Sequence, residues 1–223
     1  MKQSDLLRTK IRLVSARLDA LTSSLWLHPN LRASMPEVLV ILHQVAGASV
    51  PLLEVALSEA RARVGDQAAA PLADYLERHI PEEVGHDAWF LDDLEALGVH
   101  RRAVVSRIAS PSIARLVGAQ YYWVRHAHPV AVLGYLAAIE GNPPTVDGIE
   151  GIMSRTGLPR AAFRTWLHHA RLDPDHLADL HAVIDDMALD PSRTSLVSVS
   201  ALHTVHALES VFQDLLDHAG QEG

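Results

Sequence analysis

Three times along this chain a serine or aspartate, residues that cap helices, stands directly before a proline: Ser110-Pro111, Asp173-Pro174 and Asp190-Pro191. A short side-chain oxygen satisfies the free N–H groups of a first helical turn, and proline's fixed φ suits the position that follows. Between such signals lie long stretches rich in Ala, Leu, Glu and Arg, and alternating β-branched runs are nearly absent. The chain therefore reads as all-α.

The helix boundaries follow from the breakers. Leu6 to Leu25 reads as one amphipathic helix, with a connection from Leu25 to Ser34. Pro36 to Val64 reads as a long helix bent near Pro51 and ended by Gly65-Asp66. Ala70 to Leu97 follows, with Gly98 as its C-cap. Ser110-Pro111 opens a helix to about His128, which Pro129 interrupts before a second segment to Glu140. Gly141 to Pro144 is a turn. Thr145 to Thr156 and Pro159 to Arg171 are shorter helices. Asp173-Pro174 and Asp190-Pro191 open helices ending near Ala188 and Leu216. The expectation is a single-domain bundle of about eight helices over residues 1–223: an N-terminal helix and connection over 1–36, a core over 37–190 and a C-terminal helix over 191–223.

Composition removes several function classes. A formal charge of -8 argues against nucleic-acid or anionic-membrane partners, which need a basic surface. The absence of cysteine excludes disulfides, thiolate metal sites and a cysteine nucleophile. No run of 18 uninterrupted apolar residues points to a transmembrane helix, and Met1 to Arg12 lacks the apolar centre of a signal peptide, so a cytoplasmic protein is expected. The 14 histidines are numerous for an acidic chain, and histidine is the common neutral metal ligand, so their placement matters.

Two clusters have metal-ligand spacing. Glu83 and His86 follow His79 by four and seven residues, which on one helix at ~100° per residue puts each within about 40° of it. Glu83 and His86 form the Glu-x-x-His pair by which helical bundles supply two ligands from one helix. His169, Asp173 and His176 repeat the spacing, and two imidazoles with a carboxylate suit iron, manganese or zinc. Asp173 also reads as an N-cap before Pro174, a role that leaves an oxygen for a metal. Glu140 ends an almost wholly apolar run and Glu54 lies in another, and burying either carboxylate is costly unless it is paired or metal-bound. Both also read as surface residues.

On Ser49-Val50-Pro51-Leu52-Leu53-Glu54, Glu82-Glu83-Val84-Gly85-His86-Asp87, Leu133-Gly134-Tyr135 leading to Glu140-Gly141, and His169-x3-Asp173-x2-His176, the chain resembles the haem-oxygenase-like di-metal oxidases and oxygenases, often labelled iron-containing redox enzymes. These are relatives of TenA thiaminases and of the PQQ-synthesis protein C. The resemblance spans about Val38 to Leu189. It implies a haem-oxygenase-like helical bundle with Glu54, Glu83, His86, Glu140, His169, Asp173 and His176 as metal ligands, and His79 as an alternate to Glu83. It further implies two Fe(2+) per chain, dioxygen as co-substrate and a small amino-acid- or fatty-acid-like substrate. Tyr121, Tyr122, Trp123, Arg125 and Tyr135 are candidates for lining the substrate space, Arg125 suiting a carboxylate. Similar folds are often homodimers.

Rival readings are a cofactorless oxidase or non-catalytic ligand-binding protein on the same fold, haem held by His43 or His28, and a helical scaffold. A thiaminase-like hydrolase would need the cysteine this chain lacks.

Overall fold

The computed structural model of the chain describes residues 2–141, 143–187 and 189–221, with all side chains except those at 172–174. Among the described residues there are eleven α-helices, one 3-10 turn and no strand. The helices are α1 (Gln3–Val14), α2 (Ala16–Trp26), α3 (Leu31–Arg61), α4 (Ala69–Glu83), α5 (His86–Glu95) and α6 (Arg101–Val105). They continue with α7 (Pro111–His126), α8 (Ala131–Ile139), α9 (Val146–Thr156), the 3-10 turn Arg160–Phe163, α10 (Arg164–Asp186) and α11 (Pro191–Gln221).

The all-α expectation holds, and the helix count exceeds the expected eight for local reasons. The first span divides at Ser15, whose hydroxyl donates back to the Ile11 carbonyl at 2.9 Å, a bond that competes with the helix ladder. The span from Ala70 to Leu97 divides at Gly85, which takes φ +94, a left-handed conformation open to glycine. The short α6 went unanticipated. In the other direction, α10 runs unbroken through the Asp173-Pro174 step, so Asp173 is not the N-cap it was expected to be. A proline inside a helix costs about 3 kcal/mol, and the buried face of α10, with Trp166, Leu167, Leu180 and Ile184, offsets it. α3 starts ahead of Pro36 and contains both Pro36 and Pro51.

Two of the cap signals hold: Ser110 Oγ accepts from the Ile113 N–H and Asp190 Oδ1 from Arg193. Thr145 Oγ1, accepting from Gly148, caps α9 as well. α3 lies between α4, α5 and α7, and α11 packs on α8, α2, α7 and α1. By length and composition alone α3 passes for a membrane-crossing helix, with a mean hydropathy of 1.7 over its best window, yet here it is packed on by other helices. α8 and α11 approach so closely that a Cβ on Gly134 would lie 2.1 Å from the Val197 carbonyl oxygen. The apolar contact is pinned by a buried polar chain in which Ser200 donates to Gln120 Oε1 and Gln120 Nε2 donates to Thr204 Oγ1. Asp66, in the α3–α4 connection, accepts from the Ala68 and Ala69 N–H groups and pairs with His128 and Arg193, tying that turn to α11.

Candidate metal centre

α4 buries Leu72, Ala73, Tyr75 and Leu76, and His79 falls on the same face one turn later, so its imidazole is carried inward. Glu83, the last residue of α4, follows a further turn on. Gly85 then reverses the local backbone, and His86 opens α5. The two residues thus belong to two helices rather than one, and they still meet, with Glu83 Oε2 3.2 Å from His86 Nδ1. From the other side α10 brings His176, whose Nδ1 lies 3.5 Å from Glu83 Oε1. Glu140, just beyond the wholly apolar α8, is buried and places Oε1 3.5 Å from His79 Nε2. His169 stands edge-on to His86, ring centroids 4.7 Å apart.

His79, Glu83 and His176 each offer one ligand atom within 4.8 Å of the others. These donors are starved of hydrogen bonds. His79 Nε2, both nitrogens of His86, His176 Nδ1, Glu140 Oε2 and the Tyr75 hydroxyl are buried without a hydrogen-bond partner. An unsatisfied buried polar atom costs about 1–3 kcal/mol, and so many in one place is an unfavourable arrangement for a helical core by itself. Imidazoles and carboxylates are the donors that iron, manganese and zinc take, and a cation would satisfy several at once. The residues present therefore fit a metal.

The electrostatics agree. Burial pulls the His79 pKa down, but the carboxylates of Glu140, Glu83 and Glu82 outweigh it and hold the value above the ordinary one. Burial pushes Glu83 up, and His86, His79 and His169 outweigh it and hold Glu83 below its usual range. The fully buried Tyr135 is pushed up to about 12, by burial first, despite its hydroxyl bonding Ser49 at 3.0 Å, with Glu140 and Glu83 adding to the rise.

Of the residues expected from the sequence, His79, Glu83, His86, Glu140, His169 and His176 come together. Asp173 lies in α10, but its side chain is outside the described residues. Glu54 does not join them. It is exposed on α3, and its field is felt by Tyr121. The apolar run around it is real, but Leu52, Leu53 and Ala56 take the inward face and leave Glu54 outside. Among the substrate-space candidates, Tyr135 is at the site, whereas Tyr122 and Arg125 face solvent on α7, Tyr122 against His126. Trp123 packs on His203 and Tyr121 is half-buried. His43 Nδ1 is engaged with the Asp87 carbonyl, and His28 Nδ1 accepts from the Asn30 N–H.

Four residues escaped sequence reading. Exposed Glu82 reaches His176 Nε2 at 3.5 Å and His79 Nδ1 at 3.8 Å. Tyr75 stacks on His79, and Trp89 lies on His86. Their spacings, four before one histidine and three after the other, are the usual neighbours on a helix face and were available as a signal. Asp93, almost fully buried on α5, accepts from the Thr165 N–H at 3.0 Å, near the start of α10. Burial raises its pKa against the pull of Thr165 and Arg164.

A family model described as iron-containing redox enzyme matches residues 55–218. No curated protein sequence matches the chain. Among solved structures, a domain of unknown function with a haem-oxygenase-like fold from Shewanella denitrificans superposes with a TM-score of 0.73 at 16% identity, covering 93% of this chain and 91% of that one. A CADD-like protein of unknown function from Nostoc punctiforme gives a TM-score of 0.73 at 18% identity, covering 97% and 96%. A TenA homologue from Pseudomonas syringae pv. tomato gives 0.72 at 12% identity, covering 96% and 92%. At these identities the likeness establishes the haem-oxygenase-like helical fold.

Proposed function

The chain belongs to the iron-containing redox enzyme family, and from that premise we propose that it is a non-haem di-iron, or di-metal, oxidase or oxygenase that activates dioxygen toward a small amino-acid- or fatty-acid-like substrate. The observation that carries the reading is the convergence of His79, Glu83 and His176 with buried donors that lack hydrogen-bond partners. The ligands in this reading are Glu83, His86, Glu140, His169, Asp173 and His176, with His79 added and Glu54 removed.

The roles divide by position. Glu83 directs one oxygen toward His86 and the other toward His176, so it would help to hold metal on both sides of the site. Glu140 and His79 complete the His176 side, and His169 accompanies His86. When bound, iron supplies the electrons that reduce dioxygen. Burial lowers the His79 pKa but the neighbouring carboxylates hold it above its ordinary value in the metal-free protein, so a metal at its nitrogen would have to compete with a proton. Tyr75 and Tyr135, both almost fully buried, wall the site against water on the α4 and α8 sides. Glu82, exposed yet 3.5 Å from His176 Nε2, would be the carboxylate of the site that an ion from solvent meets first.

The test is an anaerobic titration of metal-stripped protein with iron(II), counting bound ions, followed by admission of dioxygen under visible spectroscopy. Close to two irons per chain and a transient band, both lost in a His169→Ala, His176→Ala double variant, support the reading. One iron keeps metal catalysis but removes the second site. No binding moves the function to a cofactorless oxidase on this fold.

A further inference from the structure

Three aromatic rings other than histidine stand against this site, and they differ in one respect. Tyr75 and Tyr135 are almost fully buried, whereas Trp89 is half-buried. The Trp89 indole lies 4.2 Å, centroid to centroid, from the buried His86 ring, at an interplanar angle of 31°. Its other neighbour is His168, an exposed residue whose ring centroid is 4.6 Å away, edge-on. The sequence His86, Trp89, His168 is therefore a line of aromatic rings from the buried ligands to the surface. We propose that Trp89 is a one-electron relay between the metal centre and solvent, an inference that rests on the iron and dioxygen reading above.

Indole and phenol are the readily oxidised side chains here, and the surroundings select the indole. Oxidising a tyrosine requires its phenolic proton to leave. The Tyr75 hydroxyl is buried with no hydrogen-bond partner to take that proton. An indole can lose the electron first and its N–H proton afterwards, and Trp89 has solvent within reach. The step balances as one electron passing from the indole to the oxidised iron centre, which is reduced by one electron, while the indole proton goes to water. A one-electron reductant in solution, ascorbate being a suitable one, returns the electron, and solvent returns the proton. Without ascorbate the indolyl radical adds dioxygen at a ring carbon, and the peroxyl radical so formed takes one electron from the iron(II) of another molecule and a proton from water, leaving a ring hydroperoxide that retains the oxygen.

The chain carries its own controls, since Trp89 is one of 4 tryptophans and the others are Trp26, Trp123 and Trp166. Full-length protein loaded with iron(II) is exposed to isotopically heavy dioxygen without substrate, with or without ascorbate, and its tryptophan peptides are mapped by mass spectrometry. The expected result is heavy oxygen on Trp89 in severalfold excess over the other three, suppressed by ascorbate. A Trp89→Phe variant, which keeps the ring contact with His86, is expected to bind iron at unchanged stoichiometry while losing dioxygen-dependent ascorbate consumption. If iron binds and dioxygen is consumed but label spreads evenly over the tryptophans or falls on Tyr75, the relay is overturned and the functional reading stands. If no iron binds, both fall together.

Discussion

Glu83 closes α4 and His86 opens α5, and the left-handed Gly85 between them sets Glu83 Oε2 3.2 Å from His86 Nδ1. On one continuous helix the two side chains would diverge by about 60°. Across this break they approach from two helix ends. The Glu-x-x-His spacing survives while the geometry that makes it useful is a helix junction.

Replacing Gly85 tests the junction. An L-residue in the left-handed region costs roughly 1–2 kcal/mol, and the φ of +94 offers no relief. For a chain of this size each 1 kcal/mol lowers Tm by about 2–4 °C. Gly85→Ala is expected to melt earlier by a few degrees and to bind iron more weakly, since straining the junction separates Glu83 from His86. An unchanged melting curve and unchanged iron titration would show that the left-handed turn is dispensable.

The contributions of His79 and Glu83 to the stability of the metal-free protein should both be fully present in mildly acidic solution. His79 is raised above 6.5, so its contribution is present below that value and is lost as pH rises through the raised one. Glu83 is lowered below 4.5, so its contribution is present above that value and is lost as pH falls through the lowered one. Both contributions are complete between about 4.5 and 6.5. Iron affinity should move the opposite way, increasing with pH as the imidazole proton leaves. Melting temperature and iron affinity measured across pH check both slopes, and His79→Gln should flatten the alkaline side of the stability profile.

Glu54 and Glu140 provide a paired comparison. The first is exposed and the second is buried against His79. Glu54→Gln is expected to leave iron stoichiometry unchanged, and Glu140→Gln to lose or greatly weaken one ion. Equal losses in the two variants would restore Glu54 to the ligand set.

At the α8–α11 contact, Gly134→Ala forces a methyl to 2.1 Å from a backbone oxygen, so the helices must separate. Overpacking of this kind costs typically 1–3 kcal/mol, and the backbone has little room to yield, so the upper end is expected. Thermal or denaturant unfolding measures it, and a stability equal to that of the parent would mean that the two helices slide freely.

Much of this was legible in the residues themselves. Caps at Ser110 and Asp190 are local chemistry, and each appears where the sequence puts it. The gathering of His79, Glu83, His86, His169 and His176 was legible because imidazole and carboxylate at helical spacing have few uses in an apolar bundle. What stayed hidden depends on tertiary placement. Glu54 and Glu140 sit in similarly apolar runs, and only the packing of α3 and α8 decides which carboxylate is covered. Gly85 read as a residue within a helix, since a single glycine does not announce its φ. Pro174 read as a start, because propensity cannot weigh the buried face that keeps α10 continuous.

The buried carboxylate of Asp93 has a consequence for how the site is loaded. On α5 it lies about two turns from His86, and its partner Thr165 lies about one turn from His169 on α10. The two helices that carry these imidazoles are thus aligned by a tie away from the imidazoles themselves. The freedom of one helix to slide along the other is surrendered when the chain folds, before any ion is present. An arriving cation then has only side chains left to order, and a seat prepared in this way binds more tightly than one assembled on arrival.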